Sequence, residues 1–213
     1  MSERPVREAL LDAARRLAAD GLNRGASGNL SVRTEHGFLI TPSGLDYDEM
    51  TPDDLVQMNL DGTWNGPRPP SSEWRFHRDI LCAHPEVGAV VHTHSTFATT
   101  LACASITVPA FHYMVAVAGG KDIRCAPYAT FGTQQLSDHA LAALQGRHAC
   151  LLAHHGMIAT GPTLKAAADL AYEVEALCEQ YWRVSQLGEP TCLSDEEMNT
   201  VLKKFEGYRK PSH

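Results

Sequence analysis

The chain has 213 residues, of which 44% are hydrophobic and 20% charged, and these ordinary globular proportions exclude a disordered protein. Its 18 basic and 25 acidic residues give a net charge of −7 without any long basic run, which argues against nucleic acid and anionic membranes as partners. The length suits one large domain, and we expect a single domain over residues 1–213.

The sequence also carries information about the compartment. No apolar run approaches the roughly 18 residues of a membrane span, and charges interrupt the amino-terminal stretch too often for a signal peptide. The six cysteines show no C-x-x-C spacing, which predicts free, buried thiols in a reducing environment. We therefore expect a cytoplasmic protein.

The first half of the chain predicts helix, strands and helix in that order. Apolar residues at helical spacing predict a first helix that stops at Gly21. Alternating segments then predict three strands, within 28–34, 37–44 and 50–62, before a Pro- and Gly-rich loop at 65–72. A helix follows from Glu73 to Cys82, with His77 and His84 expected on its surface.

The second half alternates buried strands with helices. A strand is predicted at 89–94, a helix from Thr96 to Ala104, and a loop over 108–120. Another helix is expected from Thr133 to Gly146, and the apolar strand in 149–161 would end in a hairpin or turn at "ATG". Two last helices follow, with Thr163 and Ser194 as N-caps. This order predicts an α/β fold with one sheet covered by helices.

The stretch "GAVVHTHS" at 88–95 is the first candidate for chemistry. In a strand, His92 and His94 project from one face and Thr93 from the other. Two imidazoles in the same apolar space need polar partners, and a shared cation would satisfy both. A catalytic zinc usually takes three protein ligands and leaves one position open, so a third ligand is expected elsewhere.

The stretch "LLAHHGM" offers the third ligand, because an apolar strand again ends in histidines. If the strand continues, His154 and His155 point to opposite sides, so that only one of them can face the metal. The alternative is that both are ordinary turn histidines beside a glycine, and the spacing alone leaves both interpretations open.

A carboxylate is also expected, and "PPSSEWRFH" presents Glu73 where a loop meets a helix. Glu73 could be a metal ligand or proton carrier, or only a first-turn glutamate that favours the helix dipole. Ser71 and Ser72 could bind an anion with the help of backbone N–H groups, or serve as simple N-caps. The stretches "GASGNLSVR" and "TPSG" have the same small-residue character, which suits either a phosphate nest or plain turns.

Seven motifs in this order give the chain a resemblance to a known family: "GLNRGASGNLSVR", "LITPSG", "PSSEWRFH", "AVVHTHS", "PAFHYMVAVAGG", "CAPYATFGT" and "HHGMIA". Together they resemble the class II aldolase/adducin family from about Gly21 to Tyr208. The similarity is greatest to its branch that cleaves L-fuculose 1-phosphate. The resemblance implies one α/β domain with a central, mostly antiparallel sheet flanked by helices, and a C4 homotetramer with active sites between subunits.

The resemblance also implies residue roles. The metal ligands would be His92, His94, His155 and Glu73, binding one Zn²⁺ per subunit, with Mn²⁺ or Co²⁺ as other candidate ions. Glu73 would be catalytic as well, together with Tyr113 from a neighbouring subunit. The remaining positions would bind the substrate phosphate, at Gly28, Asn29, Ser43, Gly44, Ser71 and Ser72, or close the other substrate end, at Phe131, Phe205 and Tyr208.

The implied activity is cleavage of a ketose 1-phosphate into dihydroxyacetone phosphate and an aldehyde, with zinc as a Lewis acid. The substrate could be L-fuculose 1-phosphate, or the 5-deoxyribulose or 5-methylthioribulose 1-phosphate of salvage pathways. Alternatives in the same superfamily are a methylthioribulose-1-phosphate dehydratase and a pentulose-phosphate 4-epimerase, although an epimerase would be expected to carry aspartate at Glu73. A non-enzymatic adducin-like interaction module is disfavoured, because the histidines and the glutamate are intact.

Overall fold

The computed structural model describes residues 4–209, and their side chains through Phe205. In this part of the chain the α-helices are α1 Arg4–Ala19, α2 Trp74–Ala83, α3 Thr96–Cys103, α4 Gln134–Ala143, α5 Leu164–Ser185 and α6 Asp195–Arg209. The strands are β1 Asn29–Thr34, β2 Gly37–Ile40, β3 Val56–Met58, β4 Trp64–Asn65, β5 Ala89–Thr93, β6 Cys125–Ala126, β7 Ala149–Leu152 and β8 Gly156–Gly161. Short 3-10 helices cover Pro52–Asp54 and Tyr113–Ala118.

All of these strands form a single sheet in the order β4-β3-β2-β1-β5-β8-β7-β6. Every neighbouring pair is antiparallel except β6 and β7, which run parallel. The predicted α/β class with a mostly antiparallel sheet is therefore confirmed. Among the described residues, no helix combines the length and the apolar character that crossing a bilayer requires.

The sheet separates two apolar cores because its strand residues alternate between the two faces. Leu39 packs into one core with residues of α1, α3 and α5, whereas its neighbours Phe38 and Ile40 pack into the other with residues of α2 and α4. Strand β5 alternates in the same way, with Val90 on the α2 side and Val91 on the α5 side. The next residue, His92, therefore emerges on the α2 side, where Glu73 lies.

Two predicted N-caps are present in the structure. Thr163 accepts a hydrogen bond from the backbone N–H of Ala166 at the start of α5. Ser194 and Glu197 form the reciprocal capping box that precedes α6, with the Ser194 N–H 2.8 Å from Glu197 Oε2. Local sequence signals were sufficient here because a cap depends only on residues within one helical turn.

Several predictions were wrong. His77 is fully buried rather than on the surface of α2, because α2 turns it toward β1. The segment "ATG" is the end of β8 and not a turn, since β8 pairs with β5 as far as Gly161. Of the cysteines, only Cys150 and Cys178 are buried, and Cys82, Cys103 and Cys192 are exposed.

The predicted loop over 108–120 also contains more structure than expected. Residues Tyr113–Ala118 form a 3-10 helix that ends at Gly119, whose φ is +92°. The His112 side chain caps it by accepting a hydrogen bond from the backbone N–H of Met114. The sequence did not reveal this helix because residues 114–118 are all apolar and therefore show no periodicity.

Candidate active site and metal centre

His92 is placed by the strand pairing in the middle of the sheet. It lies opposite Asn29 of β1 and Ile158 of β8, and its ring is fully buried. The ring nitrogen Nδ1 lies 2.8 Å from the carbonyl oxygen of Met157, to which it donates. Its other nitrogen, Nε2, is thereby turned toward Glu73 and His94.

His94 follows directly after the end of β5, where the chain leaves the sheet. Its backbone N–H donates to Asn23 Oδ1 over 3.2 Å, and its Nε2 lies 3.0 Å from His92 Nε2. The helix that follows is held by a residue distant in sequence. The Glu175 carboxylate on α5 accepts hydrogen bonds from the Ser95 hydroxyl and from the backbone N–H groups of Phe97 and Ala98. The exit of the chain from β5 is thus fixed on both sides of His94.

His154 and His155 lie in the tight turn between β7 and β8, so the strand does not continue through them. His154 has a φ of +57°, in the left-handed region that tight turns use. The turn directs His155 toward the other two histidines, with ring centroids 4.8 Å from His92 and 4.9 Å from His94. The His154 ring lies instead beside Tyr128.

Glu73 occupies the N-cap position of α2, but its side chain does not cap the helix. The carboxylate is turned toward the histidines, with Oε2 3.2 Å from His92 Nε2 and Oε1 3.2 Å from His155 Nε2. Asn29 donates to Oε2 over 2.9 Å, whereas the buried Oε1 has no hydrogen-bond donor among the described residues. A carboxylate with an unsatisfied buried oxygen fits a position that awaits a cation or a proton.

These four side chains fit a metal ion. One ligand atom from each of Glu73, His92, His94 and His155 lies within 4.8 Å of all the others. A tetrahedral ion with bonds of about 2.1 Å spaces its ligands about 3.4 Å apart. Three separations between these donors, His92 to His94, His92 to Glu73 Oε2 and His155 to Glu73 Oε1, are 3.0–3.2 Å and close to that spacing. Three nitrogen donors and one oxygen donor therefore form a divalent metal site.

The electrostatics of the cluster favour the unprotonated donors that a metal needs. Burial, reinforced by the neighbouring His92, lowers the pKa of both His94 and His155 to about 4. Burial alone would raise the pKa of Glu73, but His92, His155 and the Asn29 donor outweigh it, so that this pKa lies below its ordinary value. At neutral pH the site therefore presents lone pairs on His94 and His155 and a charged carboxylate.

A cavity of about 330 Å³ opens above this cluster. An isolated bridge between Pro42 and Pro70 holds the loops that form one side of it next to each other. Its lining contains all six predicted phosphate positions, Gly28, Asn29, Ser43, Gly44, Ser71 and Ser72, and also Phe131. Among the described residues that line the cavity, none is lysine or arginine.

Gly28 has a specific steric reason to be glycine. Its φ is +74°, and a Cβ there would lie 2.3 Å from Asn23 Oδ1. Asn23 is the residue that receives the backbone N–H of His94. The loop before β1 can therefore pack closely against the metal cluster only without a side chain at residue 28.

Three of the predicted residues are not in this cavity as the structure shows it. Tyr113 is 50% exposed and lies outside the cavity lining. Phe205 packs against the core that contains α5. Tyr208 belongs to α6, but its side chain lies outside the described residues.

Sequence reasoning missed other residues of the site. Tyr128 lines the cavity, and the Asn23 side chain accepts a hydrogen bond from the backbone N–H of His94. His154, which the sequence offered as the alternative to His155, lines the cavity as well. Tyr128 lies in the motif "CAPYATFGT" together with Phe131, which could have drawn attention to it. Asn23 carries no signal of its own in the sequence, since a lone asparagine before a glycine-rich loop is typical of turns.

Known proteins resemble this chain over nearly its whole length. The family model described as the class II aldolase and adducin N-terminal domain matches residues 8–182. The 5-methylthioribulose-1-phosphate/5-deoxyribulose-1-phosphate aldolase of Rhodospirillum rubrum is 62% identical over 203 residues, covering 95% of this chain and 92% of the relative. The L-fuculose phosphate aldolase of Escherichia coli K12 is 43% identical and covers 98% and 97%.

Comparison of the three-dimensional structures leads to the same family. A solved L-fuculose 1-phosphate aldolase superposes with a TM-score of 0.93 at 41% identity, covering 97% of this chain and 98% of that one. The family match, these relatives and the cluster of Glu73 with three histidines identify a metal-dependent aldolase, a carbon–carbon lyase. The chain belongs to the class II aldolase and adducin family.

Proposed function

We propose that this enzyme cleaves a ketose 1-phosphate between C3 and C4, giving dihydroxyacetone phosphate and an aldehyde. The observation that carries the proposal is the position of Glu73 and the three histidines at the base of a cavity whose side is formed by small neutral residues. The reaction centre and the phosphate would then occupy different parts of one cavity. Binding energy at the phosphate can position the bond that breaks at the reaction centre.

We assign zinc as the resident metal, held by His92, His94, His155 and, in the resting enzyme, Glu73. Histidine nitrogen with one carboxylate oxygen is a common donor set for zinc, and Mn²⁺ or Co²⁺ could replace it in the same site. When bound, the cation supplies a Lewis acid that stabilises the negative charge developing on the substrate oxygens.

The phosphate would be bound without a cationic side chain. Ser43 and Ser72 are exposed residues of the cavity lining, and Gly28 and Gly44 lie in the same lining without side chains that would cover the backbone. The carboxamide of Asn29 is already engaged by Glu73, so we assign Asn29 a backbone contribution at this end. Such a site binds the anion through hydrogen bonds in a chain whose net charge is −7.

Glu73 would move the proton at C3. Its carboxylate is buried at the metal cluster, and its Oε1 has no hydrogen-bond donor within the described part of the chain. A second group must take the proton from the C4 hydroxyl. We assign this step to Tyr113 of a neighbouring subunit in a C4 homotetramer, because Tyr113 is half exposed and lies outside the cavity of its own subunit.

The aldehyde half distinguishes the candidate substrates. 5-Deoxyribulose 1-phosphate would release acetaldehyde, and 5-methylthioribulose 1-phosphate would release its methylthio derivative. We favour these two, acting in salvage of the corresponding pentoses in the cytoplasm, since the Rhodospirillum rubrum relative named for both is 62% identical. The second candidate is L-fuculose 1-phosphate, which would release lactaldehyde, and the TM-score of 0.93 to a fuculose 1-phosphate aldolase supports it.

A side-by-side assay of these three sugar phosphates tests the proposal. Purified enzyme with a stoichiometric metal should release dihydroxyacetone phosphate, with the highest kcat/KM on a 5-deoxy or 5-methylthio substrate. Product identity separates the alternatives, because a dehydratase gives a diketose phosphate without carbon–carbon cleavage and an epimerase gives an inverted pentulose phosphate. Absence of dihydroxyacetone phosphate from all three reactions would refute the proposal.

A further inference from the structure

Glu73 is the first of four polar side chains that form a continuous hydrogen-bonded chain, with Asn29, His77 and Ser31 behind it. Ser31 Oγ lies 2.7 Å from His77 Nδ1, and His77 Nε2 lies 2.6 Å from Asn29 Oδ1. Asn29 Nδ2 lies 2.9 Å from Glu73 Oε2. All four residues are buried, and His77 and Ser31 have no exposed surface. Because His77 does not line the cavity, it cannot contact a substrate there.

The arrangement follows from the periods of a strand and a helix. Asn29 and Ser31 are two residues apart in β1 and therefore share one face of the sheet. Glu73 and His77 are four residues apart at the start of α2 and therefore share one face of the helix. Where β1 and α2 pack against each other, the side chains of Glu73 and His77 therefore meet those of Asn29 and Ser31.

The direction of each hydrogen bond is determined by the ionised carboxylate. A carboxylate only accepts, so Asn29 must present its Nδ2 to Glu73 and its Oδ1 to His77. An amide oxygen also only accepts, so His77 must carry a proton on Nε2. In a neutral imidazole, Nδ1 is then an acceptor for the Ser31 hydroxyl. Burial lowers the pKa of His77 to about 3, which agrees with a neutral ring.

We infer that His77 is a positioning residue for Glu73, acting through Asn29. By holding Asn29 Oδ1, His77 keeps the amide from rotating to place an acceptor against the carboxylate. Glu73 is then held by Asn29 at Oε2, while Oε1 faces His155 at the reaction centre. The catalytic meaning of this inference rests on the proposed aldolase function, whereas the tautomer and the amide orientation do not.

Two substitutions test the role. In His77→Gln, the side-chain amide can place an N–H near the position of Nε2, and in His77→Leu no donor remains. We expect His77→Leu to lower kcat by about 10- to 100-fold, as for other residues that orient a catalytic or metal-binding group, with a much smaller change in KM. His77→Gln should recover most of that kcat, and both variants should retain the metal.

A measurement on the wild-type enzyme is independent of activity and of how the variants fold. The ¹⁵N NMR spectrum of the His77 ring should show the neutral tautomer that is protonated at Nε2. A proton on Nδ1 alone would mean that Asn29 donates to His77 and offers its oxygen to Glu73, which overturns the inference.

Kinetic outcomes are equally decisive. Equal kcat in His77→Leu and the wild type, or equal losses in His77→Leu and His77→Gln, would also contradict the positioning role. Failure of the wild-type enzyme to cleave any of the three sugar phosphates would refute the proposed function instead. The NMR experiment would still test the tautomer of His77, because it does not depend on activity.

Discussion

His92 Nδ1 donates to the main-chain carbonyl oxygen of Met157 across 2.8 Å, and this bond turns Nε2 of the same ring toward Glu73. The two residues belong to β5 and β8, which are adjacent antiparallel strands. A backbone acceptor therefore sets both the orientation and the tautomer of a buried metal ligand, independently of any side chain that a mutation could remove.

Removing a histidine of the cluster should lower the amount of bound metal. We expect His94→Ala and His155→Ala to contain clearly less bound metal than the wild type, because each variant lacks one of the three imidazole nitrogens that hold the ion. Elemental analysis of purified protein checks this. His154→Asn is the matched control, since it changes the neighbouring histidine of the same turn and asparagine tolerates the left-handed φ of +57°. Equal metal content in all these proteins would contradict the ligand assignment.

A negative charge at the phosphate end should weaken substrate binding. Ser72 suits this test better than Ser71, because Ser72 is exposed whereas Ser71 Oγ accepts the backbone N–H of Glu73 over 3.2 Å. Ser72→Asp should raise KM for the sugar phosphate by about tenfold or more, since like charges a few Å apart repel by more than 1 kcal/mol. Ser72→Asn is the control, because asparagine is as large as aspartate but uncharged. If both variants gave the same KM, the phosphate would have to bind elsewhere.

Replacing Glu73 by glutamine should separate metal binding from proton transfer. Three histidines suffice to hold zinc, so we expect Glu73→Gln to keep the metal. Its kcat should fall by about 10²–10⁴-fold, the usual contribution of a general acid or base, or roughly 3–5 kcal/mol of barrier. Exchange of the C3 proton of dihydroxyacetone phosphate with deuterium should slow in parallel, since that half-reaction needs no aldehyde. Exchange at the wild-type rate would remove Glu73 from this role.

The assignment of Tyr113 requires a second subunit, which makes it testable by complementation. Tyr113→Phe and Glu73→Gln should each be strongly impaired when purified alone. If the two groups act from different subunits, denaturing and refolding a mixture should restore activity, because some sites then receive an intact copy of each. Mixing without subunit exchange is the control. Activity that does not exceed the sum of the separate variants would place both groups in one subunit or exclude Tyr113.

The sequence predicted the strand-borne part of the site better than the helix-borne part. The alternation of a strand brought His92 and His94 together, and their Nε2 atoms are indeed 3.0 Å apart. His77 was wrongly placed on the surface because it is polar, although it lies three and four residues before the buried Ile80 and Leu81 and therefore shares their face of α2. The choice between His154 and His155 also depended on a turn conformation that spacing does not encode, namely the positive φ of His154.

The contacts between distant segments were equally invisible. Glu175 lies on α5, about 80 residues from the start of α3, and accepts three hydrogen bonds from the residues there. Asn23 supports His94 across 71 residues. Nothing in either local sequence identifies these partners, because each interaction exists only after the sheet has assembled and brought the two segments together.

The buried, neutral state of His77 leads to a final prediction about acid stability. Burial is the main cause of its lowered pKa, with the charge of His92 acting in the same direction and that of Glu73 opposing both. The pKa is about 3 in the folded protein and near 6.5 when unfolded, so between these pH values the unfolded state binds more protons. Above pH 6.5 the titration of His77 does not change the free energy of unfolding. Below pH 6.5 it lowers that free energy as the pH decreases, by up to about 1.4 kcal/mol per pH unit.

The variant His77→Gln removes this titration while retaining a donor to Asn29. We therefore expect the free energy of unfolding of the metal-free wild-type protein to drop more between pH 7 and pH 5 than that of His77→Gln, measured by urea denaturation at one protein concentration. Comparing the change within each protein cancels any difference in their stability at pH 7, and the titration of the other buried groups is common to both. An identical drop in the two proteins would mean that His77 gains no extra proton on unfolding, and that it is not the neutral buried imidazole on which its contact with Asn29 depends.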